Sequence, residues 1–265
     1  MALDLALYET EHPVCRAVMA AVAQGVGADP SPACAMAWQP KPAVVYGILR
    51  GCSDIIRMCH QTGIDWWHVD LGYFKRGHFD GYYKLSRNGL VLNTAQYDYS
   101  PGMAQTRWRQ LGIDIKPWQK PGDHILICPP TWNFATNHPI EKLDEKEWVE
   151  AVRIAINRYT NIRTLVRVKP DGQSPIVWRD VYCVVAHSSN ILNDALIEGV
   201  PAIALGNHPV RDDGNTIRNI NDYKELCSVD RTALLEMQSE AQFTLDEFRL
   251  GFAFEHAMRT QGNGR

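Results

Sequence analysis

The sequence has no apolar run approaching the roughly 18 residues that a membrane-spanning helix needs, so no span is expected. It also lacks a surplus of positive charge. Its 27 Lys and Arg stand against 30 Asp and Glu, a net charge of -3 with His neutral. Any contact with nucleic acid would therefore have to come from a local basic patch rather than from the overall field. None of the cysteines, at positions 15, 34, 52, 59, 128, 183 and 227, forms a C-x-x-C pair, and their number is odd. That pattern argues against a disulfide framework or a thiolate metal site. Buried reduced thiols and a cytoplasmic compartment are the expectation. The stretch MALDLALYETEHP carries acids where a secretory leader would be basic, so secretion is not expected.

What is present reads as a globular α/β chain. Hydrophobic residues make up 45% of the 265 and charged residues 22%, enough apolar surface for a sizeable core. The length suits one large domain or two small ones. Strand-like apolar runs recur at 4–9, 43–49, 64–69, 124–130, 162–168, 181–186 and 200–205, with helical periodicity between several of them. Residues 13–27 and 143–160 are the clearest amphipathic helices. Runs that are apolar throughout and alternate with helices predict parallel sheets covered on both faces. DIKPWQKPGD (114–123), with two Pro and a Gly, reads as a linker. The stretch from Ser228 to Arg259 is helical by pattern, with a capping box expected at Thr244 and Glu247.

The most informative segment is VYCVVAHSSNILNDALIEGVPAIAL (181–205). It reads strand, polar turn, helix, turn, strand. The turn His187-Ser188-Ser189-Asn190 would sit at a helix N-terminus beyond the carboxyl end of a strand. Free backbone N–H groups and the positive end of the helix dipole suit a phosphate there. The helix is expected from about Ser189 to Gly199, with Asn190, Asp194 and Glu198 on one polar stripe. Ordinary capping with a solvated acidic face fits the same spacing. Upstream, Arg167 and Lys169 are two apart and so share a strand face. Two like charges beside an apolar strand call for an anionic partner, or for water at a strand end.

With ILICPPTW, RVKPDG and FTLDEFRLGFAF, this segment resembles the C-terminal half of GT-B fold glycosyltransferases, in particular small phage-encoded enzymes that act on modified DNA bases. The resemblance implies two Rossmann-like domains with parallel sheets facing a cleft, and a C-terminal helix returning to the N-terminal domain. It implies an acceptor domain at 1–118, a nucleotide-sugar domain at 119–242 and the returning helix at 243–265. Arg167, Lys169, His187, Ser188, Ser189 and Asn190 would meet the donor diphosphate. Asp194 matches the family's ribose-binding carboxylate, usually Glu. CPPTWNFATNH replaces the family's Gly-rich loop, leaving Thr131 as a polar contact there. The implied donor is UDP-glucose or a similar sugar nucleotide, with no cofactor required and no divalent cation indicated. The implied acceptor is 5-hydroxymethylcytosine in double-stranded phage DNA. A saccharide acceptor, a nucleotide-sugar epimerase, and a non-catalytic nucleotide- or DNA-binding module are the alternatives.

One further stretch, HVDLGYFKRGHFDGYY (68–83), gathers polar and aromatic side chains after a strand-like run. His68-x-Asp70 and His78-x-Asp80 have ligand types that suit a metal, but no third group or signature spacing accompanies them. Asp70 could instead only tie the loop by capping nearby N–H groups. The resemblance makes Asp70 the catalytic base, and places His68, Tyr73, Lys75, Arg76, His78 and Asp80 against the acceptor.

Overall fold

The computed structural model describes residues 3–168 and 175–262, apart from the side chain of Asp212. The chain divides into two compact units. The first comprises Met1–Leu111, Asn137–Glu141 and Met237–Arg265; the second comprises Gly112–Thr136 and Lys142–Glu236.

In the first unit, strands β1 (Ala6–Glu9), β2 (Pro30–Pro32), β3 (Ala43–Tyr46), β4 (Trp66–Leu71) and β5 (Tyr83–Arg87) are joined by α1 (Pro13–Val26), α2 (Cys52–Thr62) and loops. Helix α3 (Pro101–Leu111) follows. Pro13 opens α1, where a missing N–H costs nothing, and Gly27 closes it in the left-handed region at φ 72°.

In the second unit, β6 (His124–Cys128) leads to the short α4 (Trp132–Asn137) and then to α5 (Glu145–Asn157). Asp144 caps α5 by accepting from the N–H groups of Lys146 and Glu147. Next come β7 (Arg163–Val166), β8 (Val181–Ala186), α6 (Ile191–Ile197), β9 (Ala202–Ala204) and the single-turn α7 (Tyr223–Leu226). The four strands form an all-parallel sheet in the order β7-β6-β8-β9. Its core contains Ile125, Ile127, Val152, Ile156, Cys183, Val185 and Ile203.

The chain re-enters the first unit within α8 (Arg231–Glu240). It then adds a two-residue strand, β10 (Gln242–Phe243), and helices α9 (Leu245–Arg249) and α10 (Phe252–Thr260). The sequence pattern reads as helical here, with a new start at the Thr244 capping box. Instead, β10 pairs with β5, and Gly251 at φ 76° breaks the last helical stretch in two. The capping box of Thr244 and Glu247 is present at the start of α9. The first sheet is ordered β10-β5-β4-β3-β1-β2. Strands β1 to β4 are parallel, as expected, whereas β5 and β10 make an antiparallel edge that the apolar pattern did not signal.

Leu7, Val18, Met19, Val22, Val44, Trp67, Val69, Leu85, Phe243, Phe248 and Phe254 form one core of this unit. Each such side chain, fully buried, contributes about 1.5–3 kcal/mol before the entropy of ordering is subtracted. Helices α1 and α9 approach closely because residue 25 is glycine. A Cβ there would lie 1.9 Å from the Phe248 carbonyl oxygen.

All seven cysteines are free; Cys34 is exposed and Cys227 half-buried, while the rest are buried. Among the described residues, no helix is long and apolar enough to cross a membrane.

Candidate functional site

In a parallel sheet the residues just past the carboxyl ends of neighbouring strands meet at one edge. In the second unit that edge follows Cys128, Val166 and Ala186, the last residues of the adjacent strands β6, β7 and β8. It therefore gathers Thr131, Arg167 and the His187–Asn190 turn.

Thr131 is half-buried and starts α4: its Oγ1 accepts from the Phe134 N–H at 3.3 Å and its carbonyl from Ala135 at 2.9 Å. The Arg167 N–H extends the ladder to the Ile127 carbonyl at 2.9 Å, and its side chain is half-buried. The guanidinium lies close enough to Cys128 to oppose the burial that pushes that thiol up to about 12. The expected strand 162–168 is shorter, and β7 is an edge strand with Leu165 exposed. Arg167 is thus a strand-end cation at a half-open edge rather than a charge inside a covered strand. Lys169 lies outside the described residues.

His187 is 5% exposed. Its ring packs near Phe134 and Trp148, with centroids 5.9 and 6.4 Å away, and its Nδ1 is 3.1 Å from the Ser188 hydroxyl. Ser189 is exposed, and its hydroxyl accepts from the Ile191 N–H. Asn190 is the N-cap of α6, which starts two residues later than the pattern suggested. Asp194 is half-buried on that helix, and Glu198 pairs with Lys116 at 2.5 Å.

Three neighbours escaped the sequence pattern. Asn193 is completely buried on α6. Gly206, after β9, lies against the His187 ring. His208 is 2% exposed and caps a short 3-10 turn by accepting from the Val210 N–H. The dipeptide Asn207-His208 after an apolar strand was the available signal for the last.

In the first unit, Asp70 is the penultimate residue of β4, with its side chain 40% exposed. Its Oδ1 accepts from the Leu71 N–H at 2.8 Å, and its Oδ2 is 3.7 Å from Lys84 Nζ. The loop beyond is tightly tied. Gly77 and Gly81 touch backbone to backbone: a Cβ on Gly81 would fall 2.0 Å from the Gly77 nitrogen. The Tyr83 hydroxyl donates to the His78 carbonyl, and Tyr82 N–H to the Lys75 carbonyl. The tip exposes Lys75, Arg76, His78, Phe79 and Asp80.

Two residues expected to face the acceptor do not. His68 is 2% exposed; its Nδ1 meets the Leu90 carbonyl at 3.1 Å, and burial pushes its pKa down to about 4, so the ring is neutral at pH 7. Tyr73 is 1% exposed and its hydroxyl accepts from the Leu92 N–H. His68 sits mid-strand between β3 and β5, and Tyr73 packs inward just after Gly72. Among the described residues, no three His, Cys, Asp or Glu side chains are grouped to hold a metal ion.

A cleft of about 520 Å³ opens at the carboxyl ends of β1 to β3, with Glu9, Glu11, His12 and Arg50 on its walls. The strand order there, β2-β1-β3-β4, puts it where the connections from β1 and β3 leave in opposite directions. Open α/β sheets bind ligands at such points.

No protein-family model matches the sequence, and neither does any curated protein. Solved structures do match. One is the beta Kdo 2,7 transferase of Thermosulfurimonas dismutans KpsC, at a TM-score of 0.54 and 12% identity, over 96% of this chain and 99% of that one. Another is the beta Kdo 2,4 transferase of KpsC from the same organism, at a TM-score of 0.50 and 12% identity, over 89% of each chain. The chain has a GT-B-like glycosyltransferase fold. At this identity the likeness speaks to the fold alone.

Proposed function

We propose that this chain is a glycosyltransferase that moves a sugar from a nucleotide-sugar donor to an acceptor hydroxyl. The observation that carries the reading is the match of nearly the whole chain, both units included, to a glycosyltransferase domain. The polar edge of the second sheet supports it. Arg167 and the Ser188–Asn190 turn would neutralise the leaving diphosphate, which is the electrostatic part of the catalysis. Asp194 and Thr131 would hold the rest of the nucleotide, and Lys169 would add a second cation to the diphosphate. In the first unit, Asp70 is the base that takes the acceptor proton.

The finer reading is a UDP-sugar donor and, as acceptor, 5-hydroxymethylcytosine in DNA. Its support is the loop tip, where Lys75 and Arg76 are exposed beside Phe79, a pairing suited to a phosphate backbone with stacked bases. A saccharide acceptor is the second reading, favoured by the carboxylate-lined cleft and by the names of the neighbours, which put Kdo beside the hexoses as a donor sugar.

The test is mass spectrometry after incubation with a panel of nucleotide sugars, UDP-hexoses and an activated Kdo included. Duplex DNA containing 5-hydroxymethylcytosine and a set of oligosaccharides serve as acceptors. Transfer to either acceptor class, lost in Asp70→Asn with donor binding kept, supports the reading and selects the acceptor. Removing the Arg167 guanidinium forfeits a charge-assisted hydrogen bond of about 1.5–3 kcal/mol, so Arg167→Ala should weaken nucleotide binding roughly tenfold or more. No turnover of any donor would leave a binding module as the better reading.

A further inference from the structure

The sheet face that carries Asp70 also carries a row of polar side chains. The antiparallel registers set Asp70 opposite Lys84 and Lys84 opposite Gln242. Directly paired residues stand on the same face, so the three form a row across β4, β5 and β10. Lys84 is 7% exposed, and its Nζ lies 3.7 Å from Asp70 Oδ2 and 5.6 Å from the centre of the Tyr73 ring. Gln242 is fully buried, and its Oε1 accepts from the Phe74 N–H at 3.0 Å.

Each element packed on Lys84 presents groups to it. On β4 they are Asp70 and the neutral His68. On the loop they are Arg76 and the Tyr73 ring, and on β10 the uncharged Gln242. Burial draws the Lys84 ammonium below the ordinary lysine range; Asp70 opposes this and Arg76 adds to it.

A buried lysine is a poor device for stability. Desolvation of the pair offsets its attraction, and an apolar side chain of similar length commonly serves the fold as well or better. What Lys84 does supply is a second anchor for Asp70. One carboxylate oxygen takes the Leu71 N–H, and the other is drawn to an ammonium on the next strand, while 40% of the side chain stays open to solvent.

We propose that Lys84 is a positioning residue that holds the Asp70 carboxylate in the orientation from which it takes the acceptor proton. The proposal rests on the reading of Asp70 as base. In that step the acceptor oxygen bonds to the anomeric carbon and its proton passes to Asp70. The bond from that carbon to the diphosphate oxygen breaks, and its electron pair leaves with the diphosphate.

Lys84→Met keeps the packing and removes the charge. The expected result is a kcat lowered roughly 10–100-fold, with donor KM and thermal midpoint held. Wild-type kcat should also fall on the alkaline side below the ordinary lysine value of about 10.4, and that limb should be missing in Lys84→Met. In Lys84→Ala, added n-propylammonium should restore kcat and the neutral isostere 1-propanol should not.

Wild-type kcat in Lys84→Met, an alkaline limb that survives in it, or equal rescue by propanol would each overturn the proposal. Asp70→Asn run in parallel separates the two claims. Activity retained there, or no turnover of any nucleotide sugar by the wild type, removes the base and this proposal together. An inactive Asp70→Asn beside a fully active Lys84→Met removes the positioning role alone.

Discussion

Gly206 lies directly against the imidazole of His187. A Cβ on residue 206 would come 2.4 Å from His187 Cε1, 2.5 Å from Nδ1 and 2.6 Å from Nε2. The ring has little room to yield, being buried near Phe134 and Trp148. Gly206→Ala should therefore cost about 1–3 kcal/mol of stability by overpacking, measured by urea denaturation. It should also weaken nucleotide binding by displacing the turn that starts at His187, measured by calorimetric titration. Unchanged stability would mean that the ring swings aside freely, and unchanged affinity would detach His187 from the donor site.

The second unit was the more legible of the two in sequence. Strands β6, β8 and β9 are buried throughout, so the runs at 124–128, 181–186 and 202–204 stood out, and the turn at 187–190 followed from their ends. The strand-end place of Arg167 followed by the same logic, although the edge position of β7 did not, because a four-residue strand carries no mark of its place in a sheet. In the first unit, β10 was invisible: two residues have no periodicity, and the pairing with β5 is a tertiary event. The stretch 68–83 was legible as unusual but not as to direction. Alternation on β4 puts Trp66, His68 and Asp70 on one face, yet only the structure separates the buried His68 from the open Asp70. The Gly77–Gly81 contact that shapes the loop was likewise hidden, since it depends on two backbones meeting.

The Pro- and Gly-containing stretch that reads as a linker is in part a strap. Arg231 places its guanidinium 3.9 Å from the centre of the Trp118 ring and donates to the carbonyls of Leu196, at 2.6 Å, and Lys116. The Lys116 N–H in turn reaches the Ile197 carbonyl at 2.8 Å. Arg231 is 9% exposed, so these bonds are sheltered from water. Arg231→Ala should cost about 2–4 kcal/mol, the loss of two charge-assisted bonds and a partly desolvated cation–π contact. Arg231→Lys should recover only part of this, because an ammonium cannot reproduce a planar fork stacked on indole. Chemical denaturation of the three proteins checks it. A loss within about 0.5 kcal/mol for Arg231→Ala, the range of ordinary surface changes, would show that the strap is held by its backbone bonds alone.

The first unit holds a buried acid beside a buried histidine. Glu240 is 1% exposed; its Oε2 accepts from the Ser100 N–H at 3.2 Å, and its Oε1 lies 3.4 Å from His256 Nε2, which also meets the Tyr97 hydroxyl at 3.2 Å. Burial pushes Glu240 up to about 7, against the pull of the Ser100 N–H and Arg107. Burial likewise pushes His256 down to about 4, helped by Arg259 and Arg107. For Glu240 the folded value is raised. Its contribution to stability is thus fully present below the unfolded value of about 4.3 and is lost as pH rises through 7. For His256 the folded value is lowered, so its contribution is present above about 6.5 and is lost as pH falls through 4. Glu240→Gln removes the first effect and leaves the second, which cancels when the variant is compared with the wild type. The variant should therefore gain on the wild type between pH 5.5 and 8, by at most about 1.4 kcal/mol per pH unit for one proton. Urea unfolding of both proteins at the two pH values measures this directly. A difference that stays constant from pH 5.5 to 8 would show that Glu240 keeps one protonation state in the fold across that range.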